Sequence, residues 1–447
     1  MAADGTTLIL LTLASVALLL GLILIVRMHA FVALLAASIM LGLTAGMEPV
    51  KVAEAIKSGM GDALGKIAII LALGAMIGRF VEYSGGGRVL ANWFLGKFGK
   101  DRASWAVLTA AFVIGLPIFF DVAFIILAPV IWNLARESKK SILFFGLPIA
   151  AALTVTHALV PPHPAPAAAA ATLGADLGKT IVYGILVSIP MAVAGGIFYG
   201  TRIARHIFVP VPAIAETLAS TDDKTEAPPP QVRLVVTVLL LPIALIFAGT
   251  AAQMADLPGK GYLLFLGDPV IALAVSLLLA VLSMGFGRGL SRDRVTSMAT
   301  EALGPICSLL LITGAGGSFK QVINDCGVGP YAGNLLAASG IPPLVVAYLI
   351  AALLRIAQGS ATVAIITAAG ILAPIVQNIP GYTPEMLVLA IACGGTMLSH
   401  VNDSGFWIVN QYLGLTVPQT LASWSVMKII VSLVGFAVVM AAQAVWF

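Results

Sequence analysis

Charge is scarce in this chain. Of its 447 residues only 10% are Asp, Glu, Lys or Arg, and 60% are hydrophobic. A water-soluble protein of this length needs far more polar surface around its core, so that class is excluded. The 24 basic and 20 acidic residues nearly balance, and no basic patch with interleaved aromatics occurs, which excludes a nucleic-acid partner. Cysteine is also scarce. Cys307, Cys326 and Cys393 have neither metal-site spacing nor an obvious pairing, and read as small apolar packing residues. There is no His-Glu-x-x-His segment, and Gly61-Asp62-Ala63-Leu64-Gly65-Lys66 has the wrong spacing for a phosphate-binding loop. No metal and no organic cofactor is expected; a proton is the coupling ion considered below.

What is present is long apolar sequence. A span needs roughly 20 apolar residues to cross ~30 Å of hydrocarbon. Ten such runs are read near 6–26, 28–46, 62–82, 142–173, 177–200, 232–252, 266–287, 298–323, 384–412 and 420–446. The first, Leu8 to Val26, is too long for a signal-peptide core and has no basic start, so it reads as a retained span. Two further apolar pieces, 104–135 and 342–378, each break near the middle and read as re-entrant hairpins or helix pairs. Between them the composition changes abruptly. Arg202, Arg205, Asp222, Asp223, Lys224, Glu226 and Pro228-Pro229-Pro230 mark a polar cytoplasmic linker over 201–231, dividing a first repeat, 1–200, from a second, 232–447.

The two halves repeat a pattern about 240 residues apart. Thr156-His157 precedes a broken stretch, Val160-Pro161-Pro162-His163-Pro164, then Leu173-Gly174 and Lys179-Thr180. Ser399-His400 precedes another, Asn402-Asp403-Ser404-Gly405, then Leu413-Gly414 and Gln419-Thr420. Upstream, Leu127-Ala128-Pro129 is echoed by Leu372-Ala373-Pro374. Interrupted apolar segments at matching places in two halves are the sequence sign of a secondary transporter. With the amino terminus outside, most Lys and Arg fall in cytoplasmic loops, the sign that orientation rules require. Five crossings per half then turn the second half over. The expected fold is an all-α polytopic membrane protein with two inverted repeats, each of about five transmembrane helices plus one re-entrant hairpin. Discontinuous helices meet at the repeat interface, and rocking of one unit against another gives alternating access.

Smaller features read more plainly. Gly85-Gly86-Gly87 followed by Trp93 and Phe94 reads as a short interfacial helix, with Gly327 to Gly340 at the equivalent place in the second half. The pairs Gly42/Gly46 and Gly74/Gly78 allow close helix packing.

Ionisable residues within the membrane carry the chemistry because they are costly there. Asp121, mid-hairpin in Pro117-Ile118-Phe119-Phe120-Asp121, is read as a proton carrier, with helix capping as its structural alternative. His157 and His400 occupy the same place in the two repeats and are read as proton-coupling residues; a bond to a neighbouring helix carbonyl is the alternative. His163, among prolines that free backbone carbonyls, is expected to line a cavity. Ser399, Asn402 and Asp403 offer a hydroxyl, an amide and a carboxylate where the chain unwinds. Gly359, Ser360 and Thr362 form the turn of the second hairpin and open a helix, which makes an anion site. Arg355 is read as reaching the outer interface rather than pairing with a substrate carboxylate, and Lys320 as snorkelling.

These motifs resemble those of the gluconate permease (GntP) family of proton symporters. The resemblance runs through Ala151–His157 with Pro161-Pro162-His163-Pro164, Phe265–Val270, Gly316–Val322, Leu354–Ala364 and Ser399–Trp407, and covers nearly the whole chain. It implies inner-membrane, multi-pass uptake of gluconate or a related sugar acid with a proton, a small carboxylate as partner alongside the lipid bilayer, and no enzymatic step. More distantly the chain resembles the ion transporter superfamily, whose members pair a scaffold with a mobile domain carrying two hairpins. Family members often carry Tyr-Glu-Val-Gly-Phe where this chain has Phe120-Asp121-Val122-Ala123-Phe124, and Pro-Gly-Pro-Thr where it has Pro164-Ala165-Pro166-Ala167. Both departures fall near the expected site, so D-serine or another small carboxylate stays open as substrate. An intramembrane enzyme is the remote alternative, and a homodimer is compatible with the sequence.

Overall fold

A computed structural model describes residues 5–99, 102–212, 229–254, 260–327, 338, 340–376, 382–400 and 403–446. Among them no strand occurs. That follows from the solvent: with no water at membrane depth, backbone groups must be satisfied within each segment, which helices achieve.

Among the described residues, seven helices are long and apolar enough to cross a membrane, or eight if a bent pair counts as one span. Eight of the ten runs read as spans fall in these helices; the other two, 28–46 and 384–412, do not form one helix of that length. The run at 28–46 forms only Ala30–Thr44, 15 residues, which at 1.5 Å per residue falls short of ~30 Å. The run at 384–412 splits into Pro384–Gly395 and Ser404–Tyr412 because the chain unwinds between them. The run at 62–82 is the second part of a helix over Pro49–Tyr83, bent by 41° between Gly65 and Ala68. The helix that ends the first half continues through a π-helical turn to His206, six residues into the stretch read as linker.

Both expected hairpins are present. The first joins Ala103–Ile114 to Phe120–Ser138, the second Pro343–Gln358 to Ala361–Val376. Both expected broken helices are also present: Leu143–Leu159 with Pro164–Leu173, and Pro384–Gly395 with Ser404–Tyr412. The first pieces of the broken helices, with few lipid-facing residues, form the centre of the core. Around them, Pro49–Tyr83 packs against Gly304–Asp325. A Cβ on Gly59 would lie 2.4 Å from the Gly317 carbonyl oxygen, and one on Gly317 equally close to that of Gly59, so these backbones touch. Gly42 is similarly blocked by Val52, but Gly46 lies in a turn with φ +88°, where an added Cβ would meet no neighbour. The interfacial helix forms over Gly86–Phe98; most of its expected counterpart, Gly327 to Gly340, lies outside the described residues.

Helix starts differ in their caps. Asp176, Asp268 and Thr383 cap theirs with side chains. Phe120–Ser138 begins behind Phe119 with no side-chain cap. Its first N–H groups therefore have no partner inside the helix.

Candidate functional site

The breaks converge on one cavity of about 600 Å³, within the size range of small-molecule sites. Its wall takes Phe119–Val122 from the first hairpin, Thr154, His157 and Ala158 from the first broken helix, and Gly359–Thr362 with Arg355 from the second hairpin. Asp403–Gly405 of the second broken helix, Trp424 and Lys428 of the last span, and Ser308 of Gly304–Asp325 complete it. Three helices start at this wall, at Phe120, Ala361 and Ser404. Each presents the positive end of its dipole to whatever occupies the cavity.

Asp121 stands in the first turn of its helix and is exposed to the cavity. Among the described residues it has no hydrogen-bond partner. Asp403 is placed differently. Its Oδ1 accepts from the Gly405 N–H at 3.0 Å, and its Oδ2 accepts from both the Ser399 hydroxyl and the Arg355 guanidinium. Arg355 donates in turn to the Gly359 carbonyl. Ser399 Oγ accepts from the Trp424 indole N–H at 2.6 Å, and the Ser425 hydroxyl donates to the Ser399 carbonyl. One hydrogen-bonded chain thus ties the last span, the second break and the second hairpin. It exists because a buried charge must be paired: Arg355 is 1% exposed. The expectation that Arg355 reaches the outer interface is therefore wrong; the nearest carboxylate and an unwound carbonyl hold it inside. Lys320 likewise does not snorkel, since its ammonium donates to the Thr172 carbonyl at 2.6 Å.

The histidines separate. His157 lines the cavity with Nε2 3.5 Å from the Thr362 hydroxyl, and its Nδ1 is buried without a partner among the described residues. His163, expected at the cavity, stands behind its wall, 3% exposed, with Nε2 donating to the Gly115 carbonyl at 2.6 Å. His400 also stands behind the wall, its Nε2 donating to the Ile356 carbonyl at 2.8 Å. His163 and His400, rather than the expected pair His157 and His400, share this bond to a backbone carbonyl. Each fastens its break to the end of a hairpin's first helix. Proline crowding at 161–164 set His163 in the turn itself, which the sequence echo at 157 and 400 obscured.

Of the expected site residues, Asp121, His157, Gly359, Ser360, Thr362 and Asp403 meet at the cavity. Ser399 lies one bond behind it, fully buried. Ser360 Oγ accepts from the Val363 N–H at 3.3 Å, so it also caps its helix. Asn402 lies outside the described residues. Sequence reasoning missed Lys428 and Trp424. The signal was available: Lys428 is the lone charged residue in the apolar run 420–446, and an intramembrane charge marks a site by default.

The profile of GntP family permeases matches residues 7–445. The gluconate permease of Pseudomonas aeruginosa is 40% identical over 93% of this chain and 92% of its own length. The high-affinity gluconate transporter of Escherichia coli is 39% identical over 95% and 97%, and the inner membrane permease YgbN of the same organism 40% over 98% and 99%. Two solved structures share the fold at low identity. The Neisseria gonorrhoeae antimetabolite efflux pump MtrF superposes with a TM-score of 0.68 at 13% identity, over 93% of this chain and 94% of its own. The Alcanivorax borkumensis YdaH transporter superposes with 0.64 at 16%, over 93% and 97%. With apolar helices in the number a polytopic protein needs, and kinship along nearly its whole length, this chain belongs to the GntP permease family and is a multi-pass bacterial inner-membrane transporter, not an enzyme.

Proposed function

We propose that the chain takes up gluconate or a related sugar acid together with a proton, by alternating access. The carrying observation is the cavity where three helix starts, two cations and a carboxylate without a hydrogen-bond partner among the described residues meet among hydroxyls and backbone amides. The names of the relatives support the substrate class: two are gluconate carriers, and an Escherichia coli L-idonate transporter is 35% identical over 97% of this chain.

Charge counting supports coupling. Arg355 and Lys428 bring two positive charges to the cavity, and Asp121 and Asp403 two negative ones. Asp403 is already spent on Arg355. A proton on Asp121 leaves the cavity one positive charge in excess, which a monoanionic sugar acid neutralises. Proton and anion then stabilise each other's binding, and the loaded carrier crosses without net charge. The hydroxyls of the sugar acid meet Ser360, Thr362 and Ser404, which supply both donors and acceptors. Access alternates as the hairpins and broken helices, read as inverted repeats, move against the scaffold formed by Pro49–Tyr83 and Gly304–Asp325.

Purified protein in liposomes tests this. An inwardly acidifying gradient, acid outside, should accumulate radiolabelled gluconate, and unlabelled idonate should compete. Gluconate uptake that ignores the gradient would overturn the coupling; absence of uptake for every sugar acid would overturn the substrate class.

A further inference from the structure

We infer that Lys428 is the residue that takes the substrate's carboxylate and sets the preference of the site for anions. The inference rests on the reading of the cavity as the substrate site.

Lys428 lies on Val426–Trp446, is 4% exposed, and reaches the cavity wall. Among the described residues its ammonium has no hydrogen bond and no ion pair. Its close companion is the ring of Trp424, with Nζ 5.3 Å from the centroid. A cation over an aromatic face is attracted to it, but this replaces little of the lost hydration. The ring itself is fixed, because its indole N–H is bonded to Ser399. The ammonium is thus held in place with no carboxylate in hydrogen-bond or ion-pair contact among the described residues.

The other cation at the wall cannot take this role. Arg355 spends both terminal nitrogens on Gly359 and Asp403, and its Nε is buried. The two carboxylates at the wall do not satisfy Lys428 either, since neither forms an ion pair with it. A carboxylate arriving with the substrate would supply the missing counter-ion, and the helix start at Ala361 and Thr362 on the same wall adds N–H donors for its second oxygen. The hydroxyl-bearing chain of the substrate then extends toward Asp121. A neutral polyol of the same length fits the same space and leaves the ammonium uncompensated, so it binds poorly.

The test compares gluconate with gluconamide, the same chain bearing a neutral head, as inhibitors of labelled gluconate uptake in proteoliposomes. Wild-type protein should prefer gluconate strongly. K428Q should raise the KM for gluconate on the order of 30-fold or more and abolish the preference, whereas gluconamide inhibition stays the same. K428R, which keeps a fixed positive charge, should retain both the preference and proton-driven uptake; a Lys428 that carried the coupling proton would lose the latter. Retained anion preference in K428Q would overturn the assignment while leaving the cavity as substrate site. Wild-type protein inhibited equally by gluconamide and gluconate would overturn it without any variant. Wild-type protein that takes up no sugar acid would overturn both readings together.

Discussion

The two hairpins meet the same cavity in opposite electrostatic conditions. The first presents Asp121, exposed to the cavity and without a partner among the described residues. The second presents Arg355, sealed from the cavity's solvent side and fastened to Asp403 and to its own turn. In a medium of low dielectric a charge must be paired, hydrated or titrated. The second half has taken the first course and uses its charges as structure. The first half has left its carboxylate adjustable, which is what a coupling residue needs.

Breaking the fixed pair is expected to have the largest effect. D403A leaves Arg355 buried and uncompensated, removes the cap on Gly405, and frees Ser399. Loss of one partner of a buried ion pair costs about 3–5 kcal/mol, so the purified variant should melt far below wild type in detergent and show no transport. R355M/D403N removes both charges and keeps the amide cap. It should recover most of that stability, because a neutral replacement of a buried pair is often near neutral. A double variant as unstable as D403A would mean the pair is not the lock.

D121N tests the adjustable side. No hydrogen bond among the described residues is lost, so stability should stay within about 0.5 kcal/mol of wild type. Accumulation of gluconate against its gradient should vanish, while exchange of internal for external gluconate continues. Accumulation that survives in D121N would remove the contrast between the hairpins. The latching histidines come next. H163F removes the donor to the Gly115 carbonyl at a fully buried site, at about 1–3 kcal/mol. H400F removes the corresponding donor to Ile356 from a half-buried position, where water can substitute, and should cost less. Melting temperatures of the two variants order them, and the reverse order would mean that the latches are not equivalent.

How much of this was legible in the chain depended on the type of signal. Hairpins and breaks were visible because Pro117, Gly359 and Pro161–Pro164 cannot continue a helix, and such interruptions stand out in apolar sequence. Asp121 was visible because a carboxylate between Phe120 and Val122 has no solvent to face. Arg355 was misread because local sequence shows that a charge is costly, not where its partner lies; Asp403 is 48 residues away. The same blindness put His163 at the cavity and left the carbonyl bond of His400 as an alternative, since their acceptors sit on hairpins far along the chain. Lys428 differs: its isolation in an apolar span was plain, and only its place in the cavity needed the fold.

The smallest expected effect lies at the end of Pro49–Tyr83 and on Arg292–Glu301, where the same types of charge are paired but exposed to water. Arg79 on Pro49–Tyr83 donates to Glu301 Oε2 at 2.6 Å, and Arg294 and Ser297 reach Oε1 at 3.2 and 2.8 Å. The Arg79 guanidinium, then the Ser297 hydroxyl, hold the Glu301 carboxyl below its ordinary range. Because the folded state favours the ionised form, its contribution is present above the usual carboxylate range and is lost as pH falls through the depressed value. E301Q should therefore melt slightly below wild type at neutral pH, with a gap that closes on acidification and shrinks with added salt. The Arg355–Asp403 pair, shielded from bulk ions, should respond far less to salt. Equal salt sensitivity of E301Q and D403A would show that the cavity is as wet as the surface, and that the second hairpin is no more locked than the first.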